Sequence, residues 1–468
     1  MNRFPLSPAQ KRLWFLHTFE EGSTAYNLST VWLCRGSLDR LALQRAFNEV
    51  ISRHETLRSL FIEENGIPYQ VVKDQWFLEL PLLFLTQDEI DIFCESEPRN
   101  RFELRTAPAI RAHVIRLNET RHVVVVTLHH IICDGWSLNI LLREVVQLYK
   151  HYKSGQPHRI APLKVQYHEA IEKEAERIRD SSLASVNYWR EQLRDLPFLE
   201  LPTKRDHSAE PSYSARKVFV RLSTELTTRL KKFAQNQRVT LFMALFAGYQ
   251  LMLSRWSGQQ DFAVGVPIAN RRGQEQEELI GLFLNELILR VELYGVETVE
   301  QLLSRVRKVC LEAYAHQDLP LDEIVKELNP ERALERAPMF QASFALQNAG
   351  AWPMEEIADL RVEPLPSGNS GATTDLHALV WEEDGCIEGH FLYAADLFAR
   401  DTVERMSEHW KRLLEGISEG GDKRIEDLEM LSSVERWEVL YGWNDTGAEY
   451  GSEKCVQEVF EEQAAKRP

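Results

Sequence analysis

Val123 to Leu128, a run of apolar and β-branched residues, leads straight into His129-His130-Ile131-Ile132-Cys133-Asp134-Gly135, and a helical pattern follows from Leu138 to His151. A strand that ends in titratable residues and turns into a helix commits this part of the chain to an α/β arrangement. Side chains alternate along a strand, so His129 and His130 face opposite sides and only one of them enters a given cavity. The other packs or fixes the loop. A neutral imidazole at the end of a buried strand suits proton transfer near neutral pH. Asp134 is placed to pin the loop through an ion pair instead of reacting.

Competing readings of this run are weaker. A histidine at a strand end is most often a satisfied core or rim residue. A His-His pair sometimes holds a metal, but neighbouring strand positions diverge and no Cys/His partner sits at ligand spacing, so no metal is expected. The six cysteines are scattered without paired spacing, which fits a reducing, cytoplasmic setting. Cys133 reads as a small packing residue. The formal net charge of −16 disfavours nucleic-acid binding, which needs basic surface. Arg271-Arg272 and the group Arg305, Arg307 and Lys308 are the local basic patches that a phosphate-bearing or acidic carrier would meet. No apolar run reaches the length of a membrane span, and the N-terminus has no secretory core.

The length of 468 residues suggests several domains. Ser29 to Cys34 reads as a strand and Leu38 to His54 as a helix, with Ser37 as its N-cap. Strands at Ile110 to Leu117 and His122 to Leu128 complete a first lobe, followed by a charged helical linker from Glu169 to Asp195. In a second lobe, strands are expected at Lys217 to Leu222, Phe262 to Ile268, Asn285 to Leu293, Phe340 to Leu346, Leu376 to Glu382 and Ile387 to Tyr393. Its helices are expected at Leu226 to Asn236, Leu241 to Trp256, Val299 to His316 and Asp401 to Ile417. Ala349 to Thr374 is Pro/Gly-rich and reads as a long loop or crossover.

The HHIICDGWS segment resembles the active-site motif of condensation domains of nonribosomal peptide synthetases, in the chloramphenicol acetyltransferase-like superfamily. Further segments are similar to the family's other motifs in the right order. They are Ser7 to Trp14, Arg53-His54-Glu55-Thr56-Leu57-Arg58, Val165-Gln166-Tyr167 (in weak form), Ile280 to Asn285, His316 to Pro320, and Arg336 to Phe340. The resemblance implies an α/β (α+β) fold, a V-shaped pseudo-dimer of two acetyltransferase-like lobes with a central tunnel. The lobes are expected at 1–175 and 176–430. The Asn270 to Glu278 loop is the expected tunnel floor and Ala349 to Thr374 a strand-exchanging latch. Residues 431–468 resemble the linker toward a following adenylation domain. Two positions depart from the family pattern: Glu286 stands where Thr is usual, and the fourth motif reads QYHEA.

The implied reaction is amide formation between a donor acyl thioester and the amine of an aminoacyl-carrier acceptor. His130 is the residue the motif assigns to the amine, as general base or as orienting group. His129 is expected to be structural. Asp134 is expected to pair with Arg290, or else Arg58, across the tunnel wall. Gly135 is expected to allow a tight turn and an oxyanion contact through its backbone N–H. Trp136 and Ser137 are expected to seat the loop, with Ser137 also able to cap the next helix. Asn285 is placed near the donor or carrier arm, and Arg143 near a pantetheine or coenzyme A phosphate. No cofactor is expected on the domain itself; the substrates ride on 4′-phosphopantetheine of carrier proteins, and the chain is expected to be a monomer beside an adenylation domain. Met1 precedes Ser7 closely, so one reading makes this a starter domain that takes its donor from acyl-coenzyme A, and the other gives it a peptidyl carrier as donor. A non-catalytic carrier-docking module is the alternative of another class.

Overall fold

The computed structural model describes residues 2–19, 24–155, 157–204, 214–328, 339–347, 355–357, 360–365, 371–372, 374–447 and 454–466. Two six-stranded sheets organise the chain. The first has the order Glu355–Ile357, Leu360–Leu365, Asn27–Arg35, Arg121–His129, Ile110–Arg116, Leu82–Phe84. Val124, Val126 and Leu128 of the motif strand point to one face of this sheet, where helices Arg40–Arg53 and Gly135–Ser154 cover them. Val123 and Val125 lie in a separate cluster on the other face. A strand buried on both faces reads as a continuous apolar run, which is why Val123 to Val126 shows no alternation.

The second sheet runs Asn285–Glu292, Asp261–Ile268, Ala342–Gln347, Leu376–Glu383, Cys386–Ala394, Ala215–Arg221. Its core side packs on helices Leu241–Ser257 and Arg400–Ile417. Phe344, Tyr249, Phe391 and Trp410 meet there as a set of tilted and edge-on rings. This is the α/β pair of lobes expected from the periodicity, with most elements within a few residues of their sequence-derived bounds.

Three local expectations need correction. The N-cap of helix Arg40–Arg53 is Asp39, not Ser37; its carboxylate accepts the N–H groups of Leu41 and Ala42. A lobe boundary at 175 falls inside one continuous helix, Tyr167–Gln192. That helix starts against the first lobe, where Tyr167 bonds Ser7 and His168 meets Glu55, and ends with Trp189 in the core of the second lobe, so it ties the lobes together. The region 176–430 is also not all one lobe. Leu360–Leu365 pairs antiparallel with Asn27–Arg35 of the first sheet. Within Ala349 to Thr374, pairing with the first sheet is therefore seen for Leu360–Leu365, with Glu355–Ile357 added at its edge, while 349–354, 358–359, 366–370 and 373 lie outside the described residues, as do Arg336 to Pro338. Among the described residues no helix is long and apolar enough to cross a membrane.

Leu360 and Val362 of the exchanged strand are buried in the core of the first lobe. Leu360→Ala is expected to cost about 2–5 kcal/mol, the usual loss for a buried leucine. Urea unfolding should show it, and it should destabilise the first lobe although the residue lies late in the chain.

Candidate active site

The motif strand Arg121–His129 ends at a single 3-10 turn, His130–Ile132, before helix Gly135–Ser154. The loop is fastened at several points. His130 N–H donates to the Tyr26 carbonyl at 2.8 Å and Cys133 N–H to the His130 carbonyl at 3.1 Å. Gln10, fully buried, donates its amide to the Ile131 carbonyl at 3.1 Å. The two histidines diverge as strand geometry requires. His129 is buried; its Nδ1 accepts the Ile131 N–H at 3.1 Å, and its ring lies edge-on to His17 and Phe102. His130 is only half-buried, and its Nδ1 has no hydrogen-bond partner among the described residues. Burial lowers its pKa from the ordinary imidazole value; Asp134 and Glu286 pull the other way and Arg12 adds to the lowering. The ring is therefore neutral at pH 7.

Asp134 caps the following helix through Oδ1, which accepts the Ser137 N–H at 2.8 Å. The same oxygen takes Arg271 Nη2 at 2.9 Å, and Oδ2 accepts the Phe283 N–H at 3.1 Å. The partner is thus Arg271, neither Arg290 nor Arg58. Arg290 is held by Asp261 within its own lobe, and Arg58 donates to the Lys73 carbonyl. Arg271 is not a surface docking patch: its side chain is 2 % exposed and that of Asp134 3 %. Nη1 of Arg271 donates to the Gln276 and Leu279 carbonyls at 2.6 and 2.8 Å, and its guanidinium lies 4.4 Å from the centre of the Phe283 ring.

Ser137 is the hub beside this pair and does not cap the helix. Its Oγ donates to the Gly281 carbonyl at 2.8 Å and accepts from Gly281 N–H at 3.0 Å and Arg271 Nη2 at 2.8 Å. Trp136 donates to the Glu277 carbonyl at 3.0 Å. The second and fourth motifs close on the same segment. His54 Nδ1 accepts the Ile280 N–H at 3.4 Å while its Nε2 meets Glu144 at 2.9 Å. Tyr167 donates to the Leu282 carbonyl at 2.7 Å. Gly281 is required there, since a Cβ would run into the Tyr167 ring. The expected floor loop is thus a segment of the second lobe gripped by the first.

Gly135 has ordinary helical geometry and is absent from the positive-φ glycines, so no special turn demands it. A Cβ there would make ordinary contact with Gln347 Nε2 of the second lobe at 3.5 Å, so the loop start faces that lobe and sterics do not demand glycine. Asn285 spends its amide on its own lobe, donating to the Gln317 and Leu319 carbonyls and accepting from Leu321 N–H. Arg143 is exposed on its helix. Arg272 pairs with Asp318 and Arg305 with the Glu292 and Tyr294 carbonyls. Cys133 is buried and its pKa is raised well above the ordinary thiol value, first by desolvation, so it offers no thiolate. Among the described residues no cluster could hold a metal ion.

Gln10, Tyr167, Arg271 and Glu286 are the site residues that sequence reasoning did not single out for this role. Glu286 points into the junction, where it bonds Arg12 of the first lobe at 3.2 Å.

Two buried charges cost several kcal/mol each to desolvate, and here three hydrogen bonds to Asp134 and four from Arg271 offset that cost. Arg271→Ala strands the carboxylate and is expected to lose about 3–5 kcal/mol in urea unfolding. Arg271→Lys should recover only part of it, because one ammonium cannot reproduce the planar fork.

A family profile described as "Condensation domain" matches residues 1–440. Malpinin synthetase of Mortierella alpina is 34 % identical over 100 % of this chain and 6 % of that protein. Bacitracin synthase 2 of Bacillus licheniformis is 35 % identical over 99 % of this chain and 18 % of that protein. The chain thus spans less than a fifth of these relatives. Among solved structures, the X-domain from teicoplanin biosynthesis superposes with a TM-score of 0.84 at 28 % identity, covering 92 % of this chain and 98 % of that one.

Proposed function

The chain belongs to the condensation-domain family of nonribosomal peptide synthetases, and from that premise we propose that it forms an amide bond between a donor acyl thioester and the amine of an aminoacyl thioester. The acceptor arrives on the 4′-phosphopantetheine arm of a carrier protein, and the donor on a second carrier or on coenzyme A. The acceptor nitrogen attacks the thioester carbon, the C–N bond forms, the C–S bond breaks, and the donor carrier leaves as its thiol. One proton leaves the nitrogen in the same sequence. Holding the two arms in one passage replaces a diffusive encounter by an oriented one, worth about 7–11 kcal/mol of barrier in ideal cases.

The observation that carries this reading is the asymmetry of the two histidines. His129 is locked into the core, whereas His130 stays half-open, neutral and beside the seam between lobes. Its role is to orient the amine and receive its proton. Asp134 acts as a positioning residue, holding the loop through Arg271. Gly135 leaves room for the reacting carbonyl, and Trp136 and Ser137 hold the wall. The intact His-His-x-x-x-Asp-Gly run favours an enzyme over a docking module. Residues 431–468 serve as the linker to an adenylation domain.

His130→Ala is expected to lower single-turnover amide formation on loaded carriers by roughly 100- to 10,000-fold, the range for general-base help. An unchanged rate would remove the enzymatic role of His130. Supplying the donor once on a carrier and once as acyl-coenzyme A separates the two donor sources.

The pH profile gives a second check. A lowered His130 pKa means the ring becomes cationic only at lower pH than a free imidazole, whose value is 6.5. The acid limb of the rate is therefore expected below pH 6.5 in wild type and absent from the residual rate of His130→Ala.

A further inference from the structure

The sheet of the second lobe that meets the active-site loop carries a further histidine. In strand Ala342–Gln347, Ala342 and Phe344 point into the core of the second lobe, so Ser343, Ala345 and Gln347 share the other face. Gln347 on that face stands beside Gly135 of the active-site loop. The neighbouring strand runs parallel and sets His377 opposite Ser343; its own core residues are Leu376 and Ala378. Ser343 and His377 therefore lie on the sheet face that looks toward the first lobe.

The two side chains form a built unit. His377 Nδ1 and Ser343 Oγ are 2.5 Å apart, and Ser343 Oγ is 3.2 Å from Thr374 Oγ1. Ser343 is 3 % exposed, too enclosed to act as a nucleophile, whereas His377 is half-buried. Among the described residues the hydrogen bond seen to the His377 ring is at Nδ1, and none is seen at Nε2. When Thr374 O–H donates to Ser343 and Ser343 O–H to His377 Nδ1, the tautomer that the proposal takes, Nε2 carries the N–H. Burial pushes the His377 pKa down to about 4, so the donor is uncharged at neutral pH. A neutral N–H donor on a passage wall suits a carbonyl oxygen and not a phosphate.

We propose that His377, oriented by Ser343, is a substrate-binding residue whose Nε2–H holds the acyl carbonyl oxygen of a pantetheine-linked substrate. The inference rests on the carrier-substrate reading above and adds a specific contact to it. The second lobe then supplies a fixed donor for the carbonyl, while the first supplies His130 for the amine.

Two pantetheine probes test it on the full chain: one with an acyl amide in place of the thioester, keeping the carbonyl, and one alkyl thioether without it. Wild type should bind the carbonyl probe roughly five- to tenfold more tightly, the worth of one neutral hydrogen bond. His377→Leu should abolish that preference while leaving thioether affinity unchanged, which also reports an intact fold. Ser343→Ala should reduce the preference partially, because the ring keeps its place but loses its orientation. His130→Ala should leave the preference intact. A preference that survives in His377→Leu, or one absent from wild type, overturns the inference. Failure of wild type to bind either probe would instead overturn the carrier-substrate reading on which it rests.

Discussion

The structure depends on a buried ion pair across the seam between its halves. Asp134 leaves the first lobe at the start of a helix, and Arg271 comes from the second lobe just past the end of its Asp261–Ile268 strand. Neither charge reaches water, so each is satisfied by groups of its own lobe and of the other. Ser137, Gly281, Phe283 and the carbonyls of Gln276 and Leu279 complete that set. The active-site loop is thereby fixed by contacts it does not itself contain. A loop built only from local bonds would follow its own lobe; this one is referenced to both.

Three further connections act in the same direction. The helix Tyr167–Gln192 is shared between lobes, the Leu360–Leu365 strand is exchanged into the first sheet, and Arg12 meets Glu286 at the seam. Each crosses the boundary by a different kind of interaction. Together they tie the two sheets to one another on either side of the active-site loop. The sheet of the second lobe carries Gln347, which stands beside Gly135, and the bonded pair Ser343 and His377. Catalysis by orientation needs such a rigid frame, because a misplacement of about an ångström costs on the order of 100-fold in rate.

Much of this is legible in the sequence. The continuous Val123 to Val126 run marks a strand buried on both faces, and the adjacent histidines imply one inward and one outward ring. The helical spacing of Leu41, Leu43, Ala46, Phe47 and Val50 locates its helix closely. Two expectations fail for a common reason. Arg271, not Arg290 or Arg58, occupies the place beside Asp134, and the helix Tyr167–Gln192 runs through the expected lobe boundary. Long-range pairing depends on how two lobes are set against each other, and no local periodicity encodes that. Arg271 has a basic neighbour and a polar setting, which in sequence reads as solvated surface. Its burial follows from the 270–283 segment lying under Tyr167 and His54. The boundary at 175 fails similarly, since an amphipathic helix looks the same in sequence whether it covers one core or joins two.

Hydrogen exchange at three backbone amides tests the seam most directly. The N–H groups of Ser137, Gly281 and Phe283 donate to Asp134 or to Ser137, and they belong to different lobes. If the Asp134–Arg271 junction fixes the passage, these amides exchange at similar, slow rates in wild type and lose protection together in Arg271→Ala. Independent rates in wild type, or Gly281 and Phe283 remaining protected in the variant, would contradict the account.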